Sequence, residues 1–493
     1  QTRATPSFVK SLIDALGVSR SAALVAAEAE GAVTVGPWAF VGLAVAIAVL
    51  IFLVLRTKIH ALLALVIAAS IAGLSAGLSP EDTVGSISSG FGSTLATIGF
   101  VVGFGVMMGA ILEASGAAEK LAITLLRWLG KRKEEWALAV AGYIVSIPIF
   151  VDSAFVILNP LVKALSRSAG RSVLTLGIAL AGGLVLTHHA VPPTPGPLGA
   201  AGIFDVNIGE MILYGVILTI PAIFTVTLYA KYMGPKIEKM IEVDTGTKLS
   251  ASEAVSEFNS LAEEREKELP SLFMSMLPIL LPIVLIFANT GINAVATSAP
   301  GVLPEWLVGV ASFVGNPVIA VGLGVIAAIY GLTIGQKRQT TLATMEKGID
   351  QAGIILLVTG AGGALGQVLR DSGVGDALGE FVSQLPLPAI LIPFVIASAV
   401  RLVQGSGTVS IITSASLSAP ILATMPDVNL ALAAQAACLG AMVFSYFNDS
   451  LFWVVNRMLG VKEVKHQLLT WSVPTTIAWA TCLVSLLVAD IFV

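Results

Sequence analysis

Apolar runs of about twenty residues succeed one another from Trp38 to the C-terminus, each closed by a short polar or basic interruption. A helix rising about 1.5 Å per residue needs roughly 20 of them to cross a hydrocarbon core. The runs predict membrane-spanning helices at about 37–55, 59–78, 93–113, 173–190 and 208–231 in the first half of the chain. In the second half they predict helices at about 271–289, 304–335, 351–370, 429–446 and 469–492. The run at 304–335 is long and carries Gly315-Asn316-Pro317, which predicts a break. The period-two alternation of a transmembrane β-barrel is absent.

Basic residues assign sides, because Lys and Arg collect in cytoplasmic loops. They cluster at Arg56/Lys58, Arg127/Lys131/Arg132/Lys133, Lys163/Arg167/Arg171, Lys231/Lys236/Lys239, Lys337/Arg338 and Arg457/Lys462/Lys465. Two of these clusters flank residues 134–163, so that run must enter and leave on one face, as a re-entrant hairpin at about 136–165 turning within Ser146 to Phe155. A second apolar pair of arms, at about 386–420, turns at Gln404-Gly405-Ser406-Gly407-Thr408. Apart from Arg401, no Lys or Arg lies between Asp371 and Asn456, so this hairpin should enter from outside.

An internal repeat points the same way. The block from Gly103 to Leu121 lies on the block from Gly360 to Leu378 without a gap, matching glycines, a Leu, a Ser-Gly pair and the acidic residue after it. With opposite charge flanks, this predicts an all-α polytopic membrane protein of two inverted repeats, each of about five spanning helices plus one re-entrant hairpin. The repeats occupy 36–235 and 271–493, joined by a charged cytoplasmic linker at 236–270, with the C-terminus outside. Residues 1–35 read as an extramembrane arm.

Composition agrees: 56% of residues are hydrophobic and 12% charged, with mean hydropathy +0.91, far from the roughly 25% charge of soluble domains. A multi-pass inner-membrane protein follows. The net charge of −4 gives no ground for a nucleic-acid partner. Cys438 and Cys482 lie in apolar segments and imply no disulfide framework. No Walker-type loop suggests an ATP motor, and no HExxH spacing accompanies His188 and His189, so neither an enzyme nor a resident metal or cofactor is expected.

Polar groups at membrane depth are candidate functional groups. Four places qualify: Asp152 with Ser153 in the first hairpin turn, "THHAVPPTPGP" from Thr187, Arg401 with Gln404 to Thr408, and "SYFNDSLFW" from Ser445. They pair across the repeat, the first with the third and the second with the fourth. Converging helix N-termini suit an anion, and Arg401 with the Ser406-Gly407-Thr408 turn would hold its carboxylate. Each feature also has a plainer reading. Arg401 equally fits a structural pair with Asp449 or a hairpin cap, Asp152 an N-cap, and the histidines an interfacial scaffold. Asp152, His188 or His189 would otherwise carry a proton.

"IPIFVDSAFVILNPLV", "THHAVPPTPGP", "RLVQGSGTVSIITSASLSAP", "NDSLFWVV" and "LLTWSVPTTI", in this order, resemble the gluconate permease family of proton symporters. The resemblance covers roughly residues 36–493 and implies a dimerising scaffold domain, a mobile elevator domain and a small hydroxy or amino carboxylate substrate: gluconate and related sugar acids, glycerate or D-serine. It implies binding at Asp152, Ser153, His188, Thr194, Ser406 to Thr408, Asn448 and Asp449. Thr194 stands where the family commonly has His, and Leu451 where it commonly has Gly, so the class is better defined than gluconate itself. The expected function is proton-coupled symport of a hydroxycarboxylate by alternating access in a homodimer embedded in the lipid bilayer, with Thr194, Asn448 and Asp449 reading hydroxyls. Sodium coupling is the nearest alternative, since hairpin-tip carbonyls with Ser, Thr and Asn also ligate sodium, and a channel is the alternative from another class.

Overall fold

A computed structural model describes residues 37–129, 133–245, 269–299, 301–375, 377 and 388–492. The arm at 1–35 and most of the charged linker lie outside these residues.

The described elements are helices. The first half runs α1 (Pro37–Arg56), α2 (Ala61–Ser75), α3 (Pro80–Ala114), α4 (Ala117–Leu129), α5 (Glu134–Val145), α6 (Val151–Ala169), α7 (Val173–Ala190), α8 (Pro195–Phe204) and α9 (Ile208–Thr245). The second runs α10 (Leu272–Ser298), α11 (Glu305–Val314), α12 (Pro317–Leu332), α13 (Arg338–Asp371), α14 (Leu391–Gln404), α15 (Gly407–Leu422), α16 (Leu430–Gly440), α17 (Ser450–Met458) and, after a π turn at Leu468–Ser472, α18 (Val473–Asp490). Each half therefore contains, in order, a long helix (α3, α13), a helical hairpin (α5/α6, α14/α15), a helix interrupted near its end (α7/α8, α16/α17) and a long closing helix (α9, α18).

Among the described residues six helices are long and apolar enough to cross a membrane, and the α11/α12 pair, bent by 62° at Gly315-Asn316, brings the number to seven. The arms of the second hairpin and α16 are shorter apolar helices. Several expected limits change: α9 runs on to Thr245 instead of ending near 231, α10 reaches Ser298 instead of 289, and α13 begins at Arg338 instead of near 351. A helix begins at Pro80 rather than near 93, because Ser79 accepts a hydrogen bond from Asp82 N and Pro80 occupies the first turn, where a missing N–H costs nothing. The expected span at 429–446 is helical only to Gly440.

The repeated Ser-Gly pair ends both long helices alike. Ser115 caps α3 and Gly116 turns left-handed at φ 77°, while Ser372 caps α13 and Gly373 does so at φ 70°. The two helices pack along each other and cross where glycine meets glycine: a Cβ on Gly90 would lie 2.5 Å from the Gly363 carbonyl oxygen. Small residues let helix backbones approach in a solvent that offers no hydrophobic drive between helices.

At the centre lie α7, α15 and α16, buried along almost their whole length. The serine hydroxyls of α15 are satisfied without water: Ser410, Ser416 and Ser418 each donate to the carbonyl four residues back, at 2.7, 2.6 and 2.6 Å, and Ser414 donates to the Pro393 carbonyl at 2.6 Å. The interruption after α7 is supported across the halves. Gln435 of α16 donates at 2.7 Å to the carbonyl of Ala190, backbone that a continuous helix would have bonded internally, and at 2.7 Å to the carbonyl of Met211 in α9, tying the two helices together.

Candidate functional site

The two hairpin turns are built differently. In the first, α5 ends at Ser146 and Pro148, which lacks an N–H, precedes the start of α6 at Val151. In the second only Gly405 and Ser406 separate the arms. Gly405 is left-handed at φ 87°, and a Cβ there would sit 2.1 Å from the Asn448 carbonyl oxygen, so only glycine fits. Gly407 presses as closely on the other half, since a Cβ there would lie 2.2 Å from His189 Nε2. The second hairpin tip is thus wedged between the end of α7 and the interruption before α17.

Beside it opens a cavity of about 450 Å³. Its polar lining comes from Asp152, His188, His189, Arg401, Gln404 to Thr408, and Asn448 to Ser450. Three helix N-termini meet there: α6 at Asp152, α15 at Gly407 and α17 at Ser450. At the second tip Gln404 accepts from Ser406 N at 3.1 Å and Ser406 Oγ accepts from Val409 N at 3.4 Å. Among the described residues the Gly407 and Thr408 N–H groups have no partner and remain available to an acceptor.

Arg401, 4% exposed, binds Asp449 through Nη2 at 2.6 Å and the Gly405 carbonyl through Nη1. It therefore does both things its plainer reading named, pairing with Asp449 and closing the hairpin turn. Asp449 also caps α17 by accepting from Leu451 N at 3.3 Å. Asn448 Nδ2 donates to the Leu402 carbonyl at 3.2 Å. Across the cavity Asp152 accepts from Ser450 at 2.9 Å, while its other carboxylate oxygen has no hydrogen-bond partner among the described residues. His189 Nδ1 lies 3.1 Å from the Val185 carbonyl, and neither His189 Nε2 nor His188 Nδ1 has a hydrogen-bond partner among the described residues. The His188 and His189 rings stand edge to face, 5.6 Å apart.

Ten of the twelve residues singled out from the sequence line this cavity; Ser153 and Thr194 do not. Thr194 is buried and donates its hydroxyl to the Val191 carbonyl at 2.6 Å, which stabilises the start of α8 and leaves no hydroxyl proton for a ligand. Sequence reasoning missed Ser450, although it lies inside the quoted "NDSLFW". It also missed the apolar wall of Ile354, Ile355 and Val358 on α13 with Ile411 and Ile412 on α15, since isoleucine in an apolar helix carries no local signal.

Hairpins, interrupted helices and a polar cavity enclosed by apolar helices define a multi-pass membrane transporter fold. The fold is similar to that of the MtrF antimetabolite efflux pump of Neisseria gonorrhoeae, with a TM-score of 0.63 at 14% identity over 88% of this chain and 96% of that one. The GntP family permease profile matches residues 38–492, and the chain belongs to that family. A permease of Haemophilus influenzae is 53% identical over 92% of this chain and 93% of its own. A gluconate permease of Pseudomonas aeruginosa is 33% identical over 90% of this chain and 95% of its own. The protein is a permease, not an enzyme.

Proposed function

We propose that the protein is a proton-coupled symporter of a small hydroxycarboxylate, gluconate or a related sugar acid, working by alternating access. One observation carries the reading: a carboxylate-sized group placed in the cavity meets the α15 N-terminus, with its unpartnered Gly407 and Thr408 N–H groups, beside Arg401. The gluconate permease of Pseudomonas aeruginosa supports the substrate class. Glycerate and D-serine are smaller members of the same chemistry and belong in any substrate panel.

Charge balance supports proton coupling. The cavity holds one guanidinium and two carboxylates, Asp152 and Asp449, so an incoming anion adds to an acidic excess. Two like charges roughly 5.5 Å apart at an effective dielectric of about 20 repel by ~3 kcal/mol, so a proton bound with the anion removes most of that cost. Asp152, with one carboxylate oxygen unpartnered, is the group assigned to take it, and His188 and His189 are the neighbours able to pass it on.

The recurring element order and the opposite charge flanks support two inverted repeats, with the hairpins and interrupted helices moving as an elevator against a dimeric scaffold. Proteoliposomes supplied with radiolabelled gluconate, glycerate or D-serine in the external medium test the reading. Uphill uptake should follow an inward proton gradient and vanish when the gradient is dissipated. Uptake that follows sodium at clamped pH replaces the proton with sodium, and flux without accumulation indicates a channel.

A further inference from the structure

The Asp449 carboxylate is held from behind. Its Oδ2 accepts from both Arg401 Nη2 and Ser445 Oγ, and Ser445 Oγ in turn accepts from Trp471 Nε1 at 2.9 Å. Trp471 is wholly buried and sits in the π turn Leu468–Ser472, an irregularity that recurs at functional positions because it re-aims the residues it carries. The same turn and the start of α18 fix the Ser445 backbone: Ser472 Oγ donates to the Ser445 carbonyl at 2.5 Å, and Thr475 Oγ1 accepts from Ser445 N at 3.1 Å. One helical turn pair further on, Trp479 Nε1 donates to Ser398 Oγ at 2.9 Å, and Ser398 donates to the Gly440 carbonyl at 3.0 Å, tying α18 to the incoming hairpin arm and to the end of α16.

We propose that Ser445 and Trp471 are positioning residues of the binding site. The indole N–H orients the Ser445 hydroxyl so that its proton points at Asp449, and the carboxylate so fixed holds the Arg401 guanidinium at the hairpin tip. Neither Ser445 nor Trp471 lines the cavity, so both act on it through Asp449 and Arg401, which do. Loss of the indole N–H frees the Ser445 hydroxyl to rotate, and Asp449 then follows Arg401 rather than directing it. The proposal rests on the carboxylate-binding reading of the cavity, because affinity for the anion is its functional output.

Two measurements on the full-length protein in detergent test it separately. The first is gluconate, glycerate and D-serine affinity by titration calorimetry. Trp471→Phe, which removes the N–H and keeps a ring, and Ser445→Ala should each weaken binding about tenfold, a change of ~1.4 kcal/mol. Ser445→Thr, which keeps the hydroxyl, should restore most of it. Unchanged affinity in both Trp471→Phe and Ser445→Ala overturns the positioning role. The second needs no ligand: in protein labelled with 5-fluorotryptophan, the Trp471 fluorine resonance, identified by its loss in Trp471→Phe, should shift in Ser445→Ala and in Asp449→Asn. A resonance indifferent to Asp449→Asn overturns the relay whatever the protein binds. If wild-type protein binds none of the three anions while the resonance does shift, the substrate reading fails and the relay stands.

Discussion

Arg401 shows how much one buried side chain is asked to do. Its two terminal nitrogens bridge groups that a lysine ammonium, a point charge on a flexible stem, cannot span together, so Arg401→Lys should lose the hairpin-tip bond while keeping charge balance. Arg401→Ala leaves Asp449 buried and unpaired and should cost about 3–5 kcal/mol, read as a lower melting temperature in detergent. Adding Asp449→Asn to it should recover part of that loss. Thr194 is the opposite case. The resemblance implies that it reads substrate hydroxyls, yet its hydroxyl is committed to the Val191 carbonyl and it does not line the cavity. Thr194→Ser should leave apparent substrate affinity within about twofold, and Thr194→Val should cost about 1 kcal/mol of stability with no change of substrate preference in a competition assay.

Among the elements, glycine patterning separates contact from mere spacing. Gly90→Ala drives a methyl group toward the backbone of α13 and should destabilise by about 1–3 kcal/mol. Gly103→Ala meets nothing within 4 Å and should stabilise α3 by about 0.5–1 kcal/mol through helix propensity. Thermal unfolding of the two variants side by side distinguishes them. Much of the element order was legible because proline and glycine write their breaks locally: the Pro148 turn, the Gly315-Asn316-Pro317 bend and the interruption before Thr194 each carry such a mark. The end of α16 carries none. Residues 441–444, Ala-Met-Val-Phe, continue the apolar run, and the partners of the backbone just beyond them are Ser472 and Thr475, which bond Ser445 from about thirty residues further along. No local period contains that information. Candidate site residues were legible for a related reason, since polar groups in apolar surroundings stand out, while Ser445 and Trp471, acting one layer behind, look like ordinary core.

For the molecule as a whole, burial is distributed so that chemistry is confined to one place. Both thiols are fully buried, and packing raises the barrier to any reagent reaching them. Intact protein should resist maleimide and become labelled at both cysteines after denaturation in dodecyl sulfate, as intact-mass spectrometry would show. The cavity itself belongs to neither half: Asp152 and the two histidines come from the first, Arg401, Gln404 to Thr408 and Asn448 to Leu451 from the second, and the Ser450–Asp152 bond closes the seam.

The seating of Gly407 on His189 carries this to its end. A hairpin tip that needs the opposite half as its floor cannot be inherited piecemeal, so a gene cut in the charged linker should yield two fragments that are each silent alone and regain ligand binding only when made together.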